Sequence, residues 1–157
     1  MNVEKIKNAN TIFIGKEIIY KEQMNSTQDV AKEIVKQKCT NGTIIITDNQ
    51  TNGKGTKGRS WVTDKEKNIT MTIIINENIE ISKLDKITLK IAEVIKDSIY
   101  KLYNYKLTIK APNDLLLNNK KICGILTQTS IISNKVNYIL IGIGFNVNQE
   151  NFENNLR

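Results

Sequence analysis

The sequence contains no histidine among its 157 residues. This absence excludes serine–histidine and cysteine–histidine nucleophile pairs, histidine general bases and zinc held by histidine. Any chemistry must therefore come from lysine, arginine, aspartate or glutamate side chains, from the backbone, or from a bound metal with oxygen ligands.

Cysteine, proline and long apolar runs are also scarce. The two cysteines, Cys39 and Cys123, are far apart in the sequence, and the N-terminus lacks the apolar stretch of a signal peptide. We therefore expect a cytoplasmic protein with reduced thiols. No apolar run approaches the ~18 residues of a membrane span, so no membrane association is expected. With one proline and no repeat, the sequence shows no linker.

The remaining composition is typical of one soluble globular domain, with 39% hydrophobic and 25% charged residues. The net charge is +7. Nucleic acid, an anionic small molecule such as ATP, or an acidic protein would each explain this charge. A composition bias towards lysine, asparagine and isoleucine explains it equally well, so the charge alone does not identify a partner.

Hydrophobic periodicity predicts an α+β domain with a mixed, largely antiparallel sheet and two main helices. Strands are expected over residues 12–20, 42–47, 68–76, 107–110, 115–117, 121–128 and 136–143. One helix begins at Ser26 or Thr27 and ends near Lys38. The second is capped by Ser82. Its expected buried side comprises Leu84, Ile87, Ile91, Val94, Ile95 and Leu102.

Residues 48–60 contain no apolar side chain and are predicted to form a loop. Glycines at 53, 55 and 58 let the backbone approach a ligand and expose N–H groups, and three basic residues lie among them. This composition suits a phosphate or a carboxylate, but it is neither a Walker A sequence nor a dinucleotide fingerprint. A solvated basic surface loop explains it equally well.

Three further segments place polar side chains at strand or helix ends. Residues 110–114 (Lys-Ala-Pro-Asn-Asp) offer a lysine for a phosphate or carboxylate and oxygen ligands for Mg²⁺. Residues 142–148 (Gly-Ile-Gly-Phe-Asn-Val-Asn) hold amides suited to an adenine edge. Residues 25–28 place hydroxyls at a helix N-terminus, which suits a ureido or carboxylate group. Taken singly, each segment is explained better as a turn, a bulge or a helix cap.

Taken in order, these segments resemble the biotin protein ligase family. Its members carry a Ser-Thr pair before the first helix and a loop of the form Gly-Arg-Gly-Arg-x-Gly-Arg-x-Trp. Lys-Trp-Pro-Asn-Asp, Gly-Lys-Lys-Ile-x-Gly-Ile-Leu and Gly-Ile-Gly-x-Asn-Val-Asn follow. The matching segments here are residues 26–27, 53–61, 110–114, 119–126 and 142–148. Five motifs in this order are specific, and the sequence is identified as a member of the biotin/lipoate ligase superfamily.

The resemblance implies a class II synthetase-like fold and ATP-dependent ligation of biotin to a lysine of a biotin carboxyl carrier protein. The intermediate would be biotinyl-5′-AMP. Biotin and ATP would be the substrates, and Mg²⁺ would accompany ATP. The protein partner would be the carrier domain of a biotin-dependent carboxylase. No nucleic-acid partner is expected, and a homodimer is left open.

The resemblance also implies roles for individual residues. Lys110 and Arg59 would be catalytic, with Lys110 bridging the biotin carboxylate and the α-phosphate. The biotin contacts would be Ser26, Thr27, Gln28, Gln50, Gly53, Lys54, Gly55, Thr56, Lys110 and Gly124. The ATP contacts would be Lys57, Arg59, Trp61, Asn113, Asp114 and Asn146, with Asp114 as a candidate Mg²⁺ ligand.

Four positions depart from the family pattern. Lys54 and Thr56 stand where the family loop has arginines, Ala111 replaces a tryptophan, and Gln128 replaces a common glutamate. With a cation missing at Thr56, we expect weaker retention of the adenylate than in relatives that carry arginine.

The expected organisation is one catalytic domain over residues 1–157, truncated at the C-terminus and without an N-terminal DNA-binding domain. Two other readings stay open: a lipoate or octanoate protein ligase of the same superfamily, and a non-catalytic biotin-binding remnant. A DNA-binding repressor is disfavoured because only about 24 residues precede the Ser-Thr pair, too few for a helix-turn-helix module.

Overall fold

The structure is a computed structural model that describes residues 2–77, 79–150 and 152. The strands are β1 (Ile18–Met24), β2 (Ile44–Gln50), β3 (Asn68–Ile75), β4 (Thr108–Lys110), β5 (Asp114–Leu117), β6 (Lys120–Ile132) and β7 (Lys135–Asn146). The α-helices are α1 (Val3–Lys7), α2 (Thr27–Lys36) and α3 (Ile87–Tyr103). Short 3₁₀ turns occupy Thr56–Gly58 and Ile81–Leu84.

All seven strands form one sheet in the order β1-β2-β3-β7-β6-β5-β4. Among the strands of the described residues, only the β1–β2 pair is parallel, and every other neighbouring pair is antiparallel. This parallel pair is connected through α2, as a parallel crossover requires. The predicted α+β class with a mixed, largely antiparallel sheet is confirmed.

The isoleucine run of β2 shows how the sheet divides the core. Successive strand residues point to opposite faces. Ile44 and Ile46 accordingly join an apolar cluster with Ala92 of α3, whereas Ile45 joins a second cluster with Ala31 of α2. The sheet therefore carries α2 on one face and α3 on the other.

The first helix matches its predicted start but ends earlier. The hydroxyl oxygen of Ser26 accepts a hydrogen bond from the Gln28 backbone N–H at 3.2 Å, which confirms the predicted cap. The helix ends at Lys36 instead of near Lys38. Lys38 itself has a positive φ of 58°, which an α-helix does not permit.

The predicted start of the second helix is wrong. Ser82 and Leu84 lie in the preceding 3₁₀ turn, and α3 begins at Ile87 after Lys86 adopts a left-handed conformation. The apolar periodicity of the sequence continues through this turn. It therefore assigned Ser82 and Leu84 to a helix that does not include them.

The predicted buried side of that helix is also partly wrong. Val94 is 66% exposed and Leu102 is 71% exposed. Ala92 is fully buried, and a residue two positions later lies almost on the opposite side of an α-helix. Ile91 and Ile95, which both lie to one side of Ala92 around the helix, do pack against the core.

Several strand boundaries move. Residues 12–17 are not a strand, and β1 begins only at Ile18. Strand β2 begins at Ile44 and extends to Gln50, so residues 48–50 of the predicted loop are strand. The predicted hairpin through Asn118 and Asn119 is confirmed, with φ values of 50° and 63° that suit asparagine. The short helix α1 was not predicted.

Within the described residues, no helix is both long and apolar enough to cross a membrane. Cys39 and Cys123 are both free thiols, as expected. Burial raises the pKa of Cys123 to about 12, so this thiol is protonated and inert at neutral pH.

Candidate functional site

Three glycines leave bare backbone on the α2 face of the sheet. In the β6–β7 register Gly124 lies opposite Gly144, and Gly142 lies two residues earlier on the same face of β7. A Cβ atom at Gly142 would stand 2.7 Å from Oε1 of Gln28 in α2. We call Gly124, Gly142 and Gly144 the glycine floor, because it leaves room for groups that lie flat on the sheet.

The side chain of Trp61 lies on this floor. A Cβ atom at Gly144 would stand 2.3 Å from Cε2 of the indole, and one at Gly124 would stand 2.7 Å from Cζ3. The ring therefore spans β6 and β7. Its face is a flat aromatic surface at the centre of the sheet, of the kind on which a planar ligand stacks.

The strand register places two predicted site residues, Lys110 and Asp114, on the same face as the glycine floor. Lys110 lies opposite Asp114, Asp114 opposite Gly124, and Gly124 opposite Gly144. Directly opposed residues share one face of a sheet. Lys110 and Asp114 therefore lie on the face that carries Trp61, with about 14 Å between the strands of Lys110 and Gly144.

A lysine that the sequence analysis did not single out lies between these groups. The ammonium nitrogen of Lys121 lies 2.8 Å from Oδ1 of Asp114 and 5.4 Å from the centroid of the Trp61 ring. The same Asp114 oxygen accepts a hydrogen bond from the Asn113 amide at 3.0 Å. The sequence did offer a signal for Lys121, because it lies three residues before Gly124 in the segment 119–126 that resembles a family motif.

The start of α2 and the end of β2 form a buried polar wall beside the floor. Oε1 of Gln50 accepts hydrogen bonds from the backbone N–H and the hydroxyl of Thr27, at 2.8 and 3.1 Å. The Thr72 hydroxyl lies 2.9 Å from the Thr27 hydroxyl and 3.0 Å from Oε1 of Gln28. The Gln28 amide donates to Oε1 of Gln128 at 3.3 Å. This network fixes the predicted head-group contacts, and Thr72 is a member that sequence reasoning missed.

The glycine-rich segment forms a hydrogen-bonded hairpin and not an irregular loop. The Trp61 N–H donates to the Gly53 carbonyl at 2.9 Å, and the Gly55 N–H donates to the Arg59 carbonyl at 2.7 Å. We call residues 53–61 the basic hairpin. The expectation that its glycines expose their N–H groups is wrong for Gly55, because that N–H closes the hairpin.

Two hairpin cations are held by protein atoms. Lys54 forms an ion pair with Asp29 of α2 at 2.6 Å. The Arg59 guanidinium donates to the carbonyl and the hydroxyl of Thr56, at 3.2 and 2.9 Å. Lys57, at the left-handed tip, is exposed. Neither Lys57 nor Lys110 forms an ion pair with any residue that the structure describes, so both are available to an anion.

A cavity of about 270 Å³ lies between the basic hairpin and β6. Residues 52–55 and 58–60 form one side, and Leu126 and Gln128 form the other. It adjoins the buried wall through Gln128, which the Gln28 amide contacts.

Asn146 lies at the end of β7, beyond the floor. Its amide nitrogen donates to the Lys121 carbonyl at 3.5 Å, and its Oδ1 is buried. The structure thus brings together Trp61, Asp114, Gly124 and Asn146 on one face, with Lys110 on the same face at the sheet edge.

The chain is similar to known proteins in sequence and in fold. A model described as the biotin/lipoate A/B protein ligase family matches residues 20–146. The bifunctional ligase/repressor BirA of Bacillus spizizenii is 35% identical over 140 residues, which cover 89% of this chain and 43% of that protein. The protein of the same name from Bacillus subtilis is 34% identical over a stretch of the same length. The chain thus spans less than half the length of the curated relatives it matches.

Solved structures show the same fold. A mutant biotin protein ligase of Aquifex aeolicus in complex with biotin has a TM-score of 0.73 and 26% identity, covering 90% of this chain and 56% of that one. The biotin protein ligase of Leishmania major in complex with biotinyl-5-AMP has a TM-score of 0.68 and 26% identity, covering 90% and 61%.

Proposed function

The chain belongs to the biotin/lipoate A/B protein ligase family, and from this premise we propose that it joins biotin and ATP into biotinyl-5′-AMP. It then transfers the biotinyl group to a lysine of a biotin carboxyl carrier domain. We further propose that the described sheet and helices act as one catalytic unit in the cytoplasm. The repressor role that the name of the Bacillus relatives includes is not assigned to this chain.

One observation carries the proposal. The glycine floor, the Trp61 ring, Lys110 and Asp114 lie on one face of the sheet. The buried wall at the start of α2 closes one side of this surface. This surface offers a flat place for a base, cations for phosphates and polar groups for a small acid. A biotinyl-adenylate presents those three parts in one molecule.

The biotin head group is proposed to bind at the wall. Ser26, Thr27, Gln28 and Gln50 are buried there, with exposures between 0 and 9%. Their groups are already oriented by hydrogen bonds, so a ligand meets a preorganised site. Gly53, Lys54, Gly55 and Thr56 of the basic hairpin, with Gly124 of the floor, are proposed to cover the bound acid.

The nucleotide is proposed to extend across the floor. Trp61 and Asn146 would contact adenine, and Lys57 and Arg59 of the hairpin would approach the phosphates. Asn113 and Asp114 would contact ATP at its phosphate end. Arg59 is held by Thr56 in this structure, so its contact with phosphate requires the guanidinium to leave that partner.

In the first step, a carboxylate oxygen of biotin attacks the α-phosphorus of ATP. The P–O bond to the β-phosphate breaks, and pyrophosphate leaves. Lys110 is the proposed bridge between the carboxylate and the α-phosphate, since its ammonium has no ion pair with a described residue. It reduces the repulsion between two anions and stabilises the charge that develops on phosphate oxygens.

In the second step, a carrier lysine amine attacks the carbonyl carbon of the mixed anhydride. The C–O bond to AMP breaks, an amide forms, and the amine loses a proton. No histidine is available to take it. The departing phosphate or water is the proposed acceptor.

Magnesium is proposed to arrive with ATP. Within the described residues, no group of three or more metal-ligating side chains exists. Asp114 offers one carboxylate, which is already paired with Lys121. This donor set fits an ion that is held mainly by phosphate oxygens and water, because Mg²⁺ often keeps several waters and takes one or two carboxylates.

The test is incubation of the chain with ATP, Mg²⁺, labelled biotin and a biotin carboxyl carrier domain. We expect pyrophosphate release, a labelled adenylate and a labelled carrier. Lys110→Ala is expected to lower the rate of adenylate formation by at least about 100-fold, because it removes a cation from the reacting charges. Lys135→Ala is the matched control, since it removes an exposed lysine at the start of β7.

Three outcomes would contradict the proposal. Labelling of a carrier by lipoate or octanoate but not biotin would favour the related ligase. Biotin binding without pyrophosphate release would favour a non-catalytic remnant. Equal rates for Lys110→Ala and Lys135→Ala would remove Lys110 from the reaction.

A further inference from the structure

The tip of the basic hairpin is bonded mainly to itself. The Gly55 N–H donates to the Arg59 carbonyl, and the Arg59 guanidinium donates to the carbonyl and the hydroxyl of Thr56. Lys54 and Ser60 form an isolated β-bridge across the hairpin. These bonds determine the shape of the tip, but they do not determine where the tip lies relative to the sheet and α2.

One ion pair joins the tip to the rest of the domain. Nζ of Lys54 lies 2.6 Å from Oδ1 of Asp29, and these two side chains are 41% and 39% exposed. Within the described part of the chain, no other ion pair involves residues 53–61. The base of the hairpin is held separately, by the Trp61 ring on the glycine floor. We call the Lys54–Asp29 ion pair the tether.

The helical end of the tether is held firmly in place. Asp29 is the third residue of α2, after the Ser26 cap, and a carboxylate in the first turn of a helix is favoured by the helix dipole. The two preceding residues, Thr27 and Gln28, are buried in the polar wall. Asp29 therefore presents a negative charge to the hairpin from a fixed position beside the wall.

The tether lies beside the cavity of about 270 Å³. Lys54 lines this cavity from the hairpin side, and Leu126 and Gln128 line it from β6. The size of the cavity depends on the distance between the tip and β6. Because Asp29 holds Lys54, the tether fixes the hairpin side of the cavity.

We propose that Asp29 is a positioning residue that holds the tip of the basic hairpin over this cavity through Lys54. The Lys54 ammonium is paired with a protein carboxylate, so Lys54 covers a bound acid without pairing with the carboxylate of that acid. For the acid to leave, the tip moves away from β6 and the tether breaks. The tether is a property of the chain alone, whereas its effect on release of the acid rests on the proposed function.

The strength of the tether suits a part that opens repeatedly. Exposed ion pairs are weak, because water screens the charges and both side chains lose freedom. This pair is short and partly shielded, so its loss is expected to raise the population of the open hairpin about threefold to fivefold. A much stronger contact would slow the departure of every bound acid.

The tether is tested without ligand by limited digestion with trypsin. Cleavage after Lys57 and Arg59 requires the tip to open, so its rate follows the population of the open hairpin. Rates are taken relative to cleavage after Lys38, an exposed residue outside the hairpin. We expect Asp29→Asn to be cleaved in the hairpin about threefold to fivefold faster than the unaltered chain.

Salt provides a second measurement of the tether. In the unaltered chain the relative rate of hairpin cleavage is expected to rise with ionic strength, because salt screens the ion pair. In Asp29→Asn the relative rate is expected to stay constant. The salt series on the unaltered chain needs no variant, so it stands even where a substitution prevents folding.

The effect on the ligand is tested by the release of labelled biotin into an excess of unlabelled biotin. Asp29→Asn is expected to release the label about threefold to fivefold faster, and Asp29→Glu is expected to restore slow release because it keeps the charge. Glu33→Gln is the matched control. It removes an acid from the same helix that pairs with exposed Lys36 instead of the hairpin, so it should release biotin at the original rate.

A double-mutant cycle separates the tether from a general effect of Asp29 on α2. In a Lys54→Gln chain, Asp29 has no hairpin cation to hold, so a further Asp29→Asn substitution should not change hairpin cleavage. A loss of helix stability would instead raise cleavage by the same factor in both backgrounds.

Equal hairpin cleavage in Asp29→Asn and the unaltered chain would overturn the inference. An undiminished effect of Asp29→Asn in the Lys54→Gln chain would overturn it as well. Faster cleavage with unchanged release of biotin would overturn the role of the tether in retention and leave the proposed function standing. A chain that shows the expected cleavage but binds no biotin would support the tether and overturn the proposed function.

Discussion

The Trp61 indole lies on Gly144 so closely that a Cβ atom at residue 144 would stand 2.3 Å from ring atom Cε2. Only glycine permits this approach, because even a methyl group would occupy the space of the ring. Trp61 is the single tryptophan of the chain, so its fluorescence reports this contact directly.

Gly144→Ala is expected to push the indole off the floor. The emission of Trp61 should then shift to longer wavelength, since the displaced ring meets more water. Overpacking of this kind costs about 1–3 kcal/mol of stability. In the proposed site, ATP binding should weaken at least about tenfold, because the surface for the base is lost. Fluorescence, urea unfolding and calorimetry measure these three effects.

Gly142→Ala is the matched control for Gly144→Ala. Its methyl group would meet Gln28 at 2.7 Å and leave Trp61 in place. Biotin binding should weaken while the emission spectrum stays unchanged. Identical spectra for Gly144→Ala and the unaltered chain would contradict the proposed packing.

Gln50→Ala is expected to destabilise the start of α2. It leaves the buried Thr27 N–H and hydroxyl without their acceptor. An unsatisfied buried donor costs about 1–3 kcal/mol in the free energy of unfolding, which urea titration measures. Thr27→Ser is the control, because it keeps both donors and removes only a methyl group. A loss in Gln50→Ala no larger than in Thr27→Ser would show that the wall does not depend on this acceptor.

Thr56→Arg is expected to slow the release of biotinyl-AMP. The substitution adds a fourth cation to the basic hairpin and removes the hydroxyl that holds Arg59 at 2.9 Å. Charge-assisted hydrogen bonds to phosphate are about twice as strong as neutral ones, so a several-fold slower release is expected. Thr56→Ser keeps the hydroxyl and should release the adenylate at the original rate. Equal release rates for the arginine variant and the unaltered chain would contradict the role of this position.

Glu17→Gln is expected to lower stability at neutral pH but not in acid. Hydrogen bonds from Thr40, then Thr43, to Oε2 hold the pKa of Glu17 below its ordinary value. Since the folded pKa lies below the unfolded one, the stabilisation is fully present above the unfolded value. It is lost as pH falls through the folded value.

The difference in unfolding free energy between Glu17→Gln and the unaltered chain should be about 1 kcal/mol at pH 7. It should shrink below about pH 4. Glu33→Gln is the control, because Glu33 forms an exposed ion pair with Lys36, and such pairs contribute little. A difference for Glu17→Gln that does not vary with pH would contradict this assignment.

Local signals predicted much of the fold. The Ser26 cap, the Asn118–Asn119 turn and the isoleucine run of β2 are short-range features, and their conformations follow from a few neighbouring side chains. The start of α3 was missed because Lys86 breaks the helix by taking a left-handed conformation. A lysine gives no local signal for that conformation, so tertiary packing decided it.

The sequence by itself determined the family motifs, the absence of histidine and the residue types available to the site. Only the tertiary structure decided that Gly124 and Gly144 meet under Trp61, that Lys121 joins Asp114 to the ring, and that Asn68 faces Asn146. These pairs come from different strands, and their contact depends on the register and face of the sheet. A shift of one residue would turn each side chain to the opposite face, and no local pattern in the sequence specifies which strands become neighbours.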